Sequence, residues 1–129
     1  LDHMSEVITL LQNYNHGQRD FSGISLAHVD LSYADLKGAD LSYSDLSNVN
    51  LKQANLRGVD LSYAKLSNVN LYGTDLRGAM LIGTDLRDVR FSNTNLKDAD
   101  YLAGTTRFPS EFDPTQAQMR SVVLQPQAT

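Results

Sequence analysis

The sequence contains no cysteine, only three histidines and no long hydrophobic run. The absence of cysteine excludes disulfides, thiolate chemistry and cysteine-ligated zinc. No segment approaches the ~18 apolar residues of a membrane span, and no basic segment precedes an apolar run as in a signal peptide. We therefore expect a cytoplasmic protein that does not associate with membranes.

Charge and histidine content also limit the function. Fifteen acidic and eleven basic residues give a net charge of -4, which does not favour direct nucleic-acid binding. Outside the first four residues, only His16 and His28 remain, and both lie near one end of the chain. We find no triad-like arrangement, no metal-ligand spacing and no phosphate-binding glycine loop. The sequence therefore predicts a protein that is not an enzyme, with no catalytic, metal-binding or cofactor-binding residues.

A five-residue repeat dominates the chain. A large apolar residue, the central residue, occupies every fifth position from Phe21 to Leu96, giving sixteen units. Two residues earlier the side chain is nearly always small or β-branched (the small position), and Asp or Asn usually stands between them (the polar position). In extended backbone, the small and central side chains point to one face and the polar side chain to the other. The remaining first and second turn positions bend the chain, so one unit forms one short side of a polygon.

A second period gives the number of sides. Every twentieth residue repeats the same type, as in Val29, Val49, Val69 and Val89. Twenty residues are four units, which predicts a square coil in which equivalent residues stack. The sixteen units then form four coils, about 20 Å tall at the ~4.8 Å spacing of strands.

The units resemble the consensus of bacterial pentapeptide-repeat proteins. The matches include ADLKG at residues 34–38 and ANLRG at residues 54–58, and the resemblance covers roughly residues 19–100. The flanks, residues 17–21 and 108–114, are similar to those of cyanobacterial members. The resemblance implies an all-β solenoid, a right-handed quadrilateral parallel β-helix, and most of the similar proteins have no known activity.

The ends of the chain are predicted to be short helical caps on the solenoid, because exposed coil edges would otherwise promote aggregation. We assign residues 1–4 to a cloning remnant, 5–18 to an N-terminal helical cap and 19–100 to the β-helix. Residues 101–124 form a C-terminal cap, with a short helix starting at Asp113-Pro114. The tail at residues 125–129 is predicted to be loose.

One side of the predicted coil carries a column of like charges. If unpaired, stacked cations could bind phosphate or another anion. Alternatively, acids and amides two residues earlier interleave with the cations and make an ordinary solvated face. The members of this basic column are Lys37, Arg57, Arg77 and Lys97.

An adjacent side carries stacked aspartates, serines and tyrosines. Asp20, Asp40 and Asp60 could hold a cation such as Ca²⁺, but no calcium-loop pattern is present and the repeat consensus explains the spacing better. Tyr43 and Tyr63 are interpreted as surface packing.

The same side changes character in the fourth coil. Met80 replaces the aspartate and Ile82 replaces the serine, and both should point outward beside Tyr63. An apolar cluster on a polar surface indicates a site for a partner protein or for self-association. The alternative is that the C-terminal segment folds back over it, through Phe108 or Val122 and Val123.

Four functions remain open. The favoured one is a non-catalytic scaffold that binds another protein. The resemblance suggests a second, mimicry of DNA to inhibit DNA gyrase, but that role needs a long acidic rod, whereas residues 19–100 hold eleven acidic and nine basic residues. A passive structural spacer is the third, and an enzyme is the weakest.

Deleting residues 5–16 tests the N-terminal cap. We expect a lower melting temperature, because the deletion would expose the edge of the first coil. An unchanged melting temperature would contradict a capping role.

Overall fold

The computed structural model of the protein describes residues 4–123, so residues 1–3 of the predicted remnant and the predicted loose tail lie outside the described residues. The chain begins with helix α1 (Met4–Asn15). Two short strands, β1 (Asp100–Tyr101) and β2 (Arg120–Ser121), pair in parallel near the other end. Between α1 and β1 the backbone forms isolated parallel bridges separated by turns.

The bridges join residues that are twenty positions apart. Asp20 bridges Asp40, Asp40 bridges Asp60 and Asp60 bridges Met80, always in parallel. The same relation holds on three further sides of each turn, so the protein is a parallel β-solenoid with four repeat units per coil. We number the coils 1 to 4 (residues 19–38, 39–58, 59–78 and 79–98). Sides 1 to 4 begin with the units centred on Phe21, Leu26, Leu31 and Leu36.

The central residues form one continuous core. Every leucine at a central position from Leu31 to Leu86 is less than 2% exposed. Burial of each contributes ~1.5–3 kcal/mol before the opposing chain entropy. At the small position, the hydroxyls of Thr74 and Thr84 donate hydrogen bonds to the carbonyls of Leu51 (2.7 Å) and Leu61 (2.8 Å) in the preceding coil. These two buried hydroxyls are therefore paired as burial requires.

The turns explain which residues the repeat tolerates at its corners. The N–H of each small residue bonds the carbonyl of the preceding central residue, as in Ala39 to Leu36 at 3.0 Å. The second turn position adopts a positive φ in every unit except the one that contains Asp88, as a type II turn requires at its third residue. Glycine, asparagine, tyrosine and other residues all adopt it, with φ near 60° at Tyr43 and Asn48.

The acid or amide at the polar position caps the turn that follows it. One side-chain oxygen accepts the backbone N–H two residues on, as in Asp40 with Ser42 (2.9 Å) and Asn55 with Arg57 (3.2 Å). Twelve units form this bond. The carboxyl or amide group thus has a local structural role in most units.

Helix α1 covers the edge of coil 1. Leu10 and Tyr14, one helical turn apart, are buried against the core. The Tyr14 hydroxyl donates to the Lys37 carbonyl (2.6 Å), which satisfies an edge acceptor that has no preceding coil. Gly17, with a φ of 101°, ends the helical segment.

At the C-terminal end the bridging continues past residue 98. Asp100 bridges Met80, and Arg107 bridges Asp85 at a separation of twenty-two. Thr106 donates to the carbonyl of Leu81 at 2.7 Å, in the manner of Thr84 and Leu61 one coil earlier. Two extra residues therefore enter this last turn before Thr106. The twenty-residue register returns where Arg120 pairs with Asp100.

Four aromatic rings close this end of the core. Phe112 packs on Phe91 (4.7 Å between ring centroids) and on Phe108 (5.0 Å), and Phe108 also packs on Tyr101 (5.5 Å). Ring contacts at these distances are favourable beyond the area that they bury. The C-terminal cap is therefore an irregular coil with an aromatic cluster.

The prediction of a short helix from Asp113-Pro114 is wrong. A carboxylate oxygen of Asp113 does accept the N–H groups of Thr115 (2.9 Å) and Gln116 (3.3 Å), as at a helix start. The segment forms only turns, however, and Gln118 then adopts a φ of 62°. The chain has to rejoin the sheet at Arg120, which leaves no room for a second helical turn.

Two serines one coil apart provide a stability test. The Ser42 hydroxyl donates to Asp40 (2.6 Å), whereas the buried Ser62 hydroxyl has no partner among the described residues. We expect Ser42→Ala to lower the free energy of unfolding by about 1 kcal/mol and Ser62→Ala to be neutral or stabilising. Urea-unfolding midpoints would measure both, and an equal loss for the two variants would contradict this account.

Candidate functional site

Four of the sixteen units lack the acid or amide that caps the turn. Four units lack Asp or Asn at the polar position and carry Ser25, Lys65, Met80 or Arg90 instead. Within residues 4–123, none of these four side chains accepts the N–H two residues on. Each of these units therefore lacks the turn-capping hydrogen bond that the other twelve units form. Lys65 bridges Asp45 and Asp85, so its charge has acidic neighbours on both sides.

Met80 and the neighbouring tyrosines form an exposed apolar patch, which we define as Tyr43, Tyr63, Met80 and Ile82. Met80 is 39% exposed and Tyr63 is 52% exposed, while Ile82 is partly buried. The rings of Tyr43 and Tyr63 stack with centroids 5.2 Å apart and an interplanar angle of 16°. The patch therefore extends along one corner of the solenoid over coils 2 to 4.

Gly83 lies at the same corner as the apolar patch and was not predicted from the sequence as part of it. A β-carbon at Gly83 would collide with the ring of Tyr63. The Tyr63 ring therefore lies directly against the coil 4 backbone, next in sequence to Ile82. The available signal was the change from tyrosine to glycine in the column Tyr43, Tyr63, Gly83.

The C-terminal segment leaves part of the patch open. Asp100 lies in register above Met80 and forms an ion pair with Arg120 (3.0 Å). Phe108 packs into the aromatic cluster at the end of the core. Val123 is 75% exposed, and the N–H of Val122 bonds the carbonyl of Tyr101. Met80 and Tyr63 remain exposed with the described C-terminal residues in place.

The basic column lies along side 4, and only one of its members is paired. Arg77 forms a two-pronged ion pair with Asp75, with nitrogen–oxygen distances of 2.9 and 2.7 Å. No carboxylate among residues 4–123 lies within 4.0 Å of the charged groups of Lys37, Arg57 or Lys97. Interleaving with Asp35, Asn55, Asp75 and Asn95 therefore neutralises the column only in part, and the exposed pair itself contributes little stability.

The aspartates of side 1 already have hydrogen-bond partners in the serines of their own units. Asp20 and Asp40 each accept both the backbone N–H and the hydroxyl of the serine two residues on. Among the described residues there is no group of three or more histidine, aspartate or glutamate side chains that could hold a metal ion. The cap geometry explains these aspartates as the repeat consensus predicted.

Hydrogen bonds lower the pKa of several carboxyl groups. The hydroxyl of Ser47, and then its backbone N–H, hold the pKa of Asp45 below its ordinary value of 3.8. The Arg77 side chain likewise lowers the pKa of Asp75, and the Arg87 side chain lowers that of Asp85. In every case the folded state favours the charged carboxylate.

The stacked coils, with columns of side chains on their outer faces, define the chain as a solenoid repeat protein. The profile of the family described as pentapeptide repeats (8 copies) matches residues 20–58 and 54–93. The chain belongs to the pentapeptide-repeat family, and the resemblance seen in the sequence is confirmed. Proteins of this family are generally structural or binding modules.

The chain is also similar to several solved proteins. The chain is 44% identical to a pentapeptide repeat protein of Nostoc PCC 7120, with a TM-score of 0.87 over 90% of this chain and 95% of the other. A protein of the cyanobacterium Cyanothece 51142 is 30% identical, with 69% and 63% coverage and a TM-score of 0.47. HetL of Nostoc sp. PCC 7120, involved in heterocyst differentiation regulation, is 35% identical, with 72% and 45% coverage and a TM-score of 0.28. No curated protein matches the chain.

Helix α1 is too short and too polar to cross a membrane, and residues 4–123 contain no other α-helix.

The lowered carboxyl pKa values predict acid sensitivity. A carboxyl whose pKa is lower in the folded state stabilises the fold above its unfolded pKa, and that contribution is lost as the pH falls through the folded value. We expect the melting temperature to fall as the pH drops from about 5 toward 2. Asp45→Asn keeps an oxygen for the Ser47 N–H but cannot titrate, so its melting temperature should fall less over this range. An unchanged pH profile in this variant would contradict the assignment.

Proposed function

We propose that the protein is a non-catalytic scaffold, built as a right-handed four-sided β-helix, that binds a partner protein through the apolar patch. The single observation that carries the proposal is the exposure of Met80 at a position where the other units of side 1 carry an aspartate. The substitution removes a turn cap and places a methionine in water, and the repeat itself requires neither change.

The chemistry of the patch suits protein recognition. Tyrosine and methionine are enriched in the cores of protein interfaces, and tyrosine buries a large area with little loss of conformational freedom. The Tyr63 ring lies against Gly83 and the Tyr43 ring stacks on it, so both rings have protein neighbours before a partner arrives. Such preorganisation lowers the entropy cost of binding.

The charges around the patch favour one kind of partner. Asp60 and Asp100 lie in register on either side of Met80, and Asp40 continues the same column. Asp100 is paired with Arg120, but Asp40 and Asp60 form no ion pair among the described residues. An apolar centre with acids on its lower side favours a partner that presents apolar side chains flanked by lysine or arginine.

The charge distribution weighs against the gyrase-inhibitor alternative. DNA mimicry requires a strongly acidic surface, yet side 4 carries three cations without a carboxylate within 4.0 Å and side 1 is interrupted by Met80. A passive spacer would need no exposed methionine. The binding scaffold is therefore the function that the described surface supports best.

A capture experiment on lysate of the source organism, quantified for each variant, tests the proposal. Met80→Asp restores the residue type of Asp40 and Asp60 and supplies a cap for the N–H of Ile82, so the variant should fold normally. We expect it to weaken capture of the partner at least tenfold, which corresponds to about 1.4 kcal/mol. Light scattering on the same variants would detect self-association through the patch.

Tyrosine variants supply the matched control. Tyr63→Ser should weaken capture in the same way, whereas Tyr33→Ser removes an exposed tyrosine at another corner and should leave it unchanged. Equal capture by wild type and Met80→Asp would contradict the proposed site and favour a structural role.

A further inference from the structure

The ladder between coils 3 and 4 is looser than the ladders below it. Between coils 2 and 3, six backbone bonds join sides 2 and 3, among them Leu46 to Lys65 (2.9 Å), Asn48 to Ser67 (2.8 Å), Leu51 to Asn70 (2.9 Å) and Asn70 to Val49 (3.1 Å). One coil later Lys65 still bridges Asp85 and Asn70 still bridges Arg90. The equivalents of the four named bonds, however, fall outside good hydrogen-bond geometry.

The corner above this seam also departs from the repeat. From Gly23 to Asp98, every second turn position has a positive φ except Asp88. The backbone therefore turns differently between Leu86 and Arg90. Next to this altered corner, Val69 is 5% exposed, whereas Val49 one coil below is 1% exposed.

An open groove of about 370 Å³ lies at this seam. Its lining includes the side chains of Asn68, Asn70, Tyr72, Asp88, Arg90 and Ser92. The volume falls within the range of small-molecule sites. Asn68 and Leu71, whose N–H groups lie at the loosened part of the ladder, also border it.

Arg90 brings to the groove a cation that forms no ion pair among the described residues. It replaces the Asp30, Asn50 and Asn70 of side 3, and no carboxylate among the described residues lies within 4.0 Å of it. On the lower coils the cap oxygens of Asp30, Asn50 and Asn70 accept the N–H two residues on at 2.9 to 3.0 Å. The equivalent N–H, that of Ser92, has no acceptor within residues 4–123.

We propose that this groove binds the oxyanion, phosphate or carboxylate, of a small molecule. The anion takes the acceptor position that the cap oxygen of Asp30 or Asn50 holds on the lower coils, and so bonds the N–H of Ser92. The guanidinium of Arg90 neutralises it through charge-assisted hydrogen bonds. The Tyr72 ring, with the Lys52 ammonium 6.0 Å from its centroid, flanks the same side. The site is separate from the apolar patch, which lies on side 1.

Titration of the full chain with inorganic phosphate and with acetate, followed by backbone NMR, tests the proposal. We expect saturable shifts of the Ser92 and Leu71 amides with at least one probe, and the tighter probe identifies the oxyanion. Arg90→Asn restores the residue of Asn50 and Asn70. It should weaken binding at least tenfold and, because the cap returns, raise the melting temperature by about 4 °C.

The charge-matched control is Arg57→Asn, which removes an unpaired arginine on side 4 and should change the affinity by less than about twofold. Asp88→Asn removes the one carboxylate that lines the groove and should tighten binding. Absence of saturable binding to both probes, or equal weakening by Arg57→Asn and Arg90→Asn, would overturn the proposal. So would an Arg90→Asn variant that is less stable than wild type and still binds.

Discussion

Stacking of equivalent residues at a twenty-residue interval is the constraint on which the rest of the structure depends. Hydrogen bonds between coils form only if each coil brings a donor and an acceptor to the same place on every side. That requirement puts leucine above leucine in the core and fixes a positive φ at nearly every corner. It also explains why two extra residues are accommodated before Thr106, where the chain begins its last, irregular coil and has a regular neighbour on one side only.

The side chain at the polar position has both a structural role in the turn and a place on the outer surface. Its acid or amide caps the following turn, so most of the aspartates that seem available for ligands already have local partners. The exceptions differ in how they are compensated. Lys65 lies between Asp45 and Asp85, whereas Met80 exposes an apolar side chain and Arg90 has Asn70 as its bridge partner. The two functional hypotheses therefore rest on Met80 and Arg90, the exceptions for which the fold gives no local reason.

The predicted repeat unit, the four-unit period and the family were all readable from side-chain types at fixed intervals. An N-terminal helix was expected as well, from the apolar stripe that includes Leu10 and Tyr14. The C-terminal prediction failed because Asp113 and Pro114 are good helix-start residues, and the local signal cannot register that the chain must return to the sheet six residues later. Tyr63 was predicted to border Met80 and Ile82, but its contact with Gly83 was not predicted, because neither residue alone departs from turn chemistry.

The corner at Asp88 shows most clearly what the repeat pattern does not predict. Leu86 and Val89 stay in phase with the repeat, so the sequence indicates an ordinary unit there, while the backbone turns differently at Asp88 and the ladder to the coil below is looser. By itself the sequence determined the coil, its core and the outward columns, because burial and turn geometry recur with a strict period. Only the tertiary structure decided which outward side chains are paired, which are exposed and where the backbone leaves the regular turn, because those depend on neighbours twenty residues away and on how the irregular last coil closes the stack.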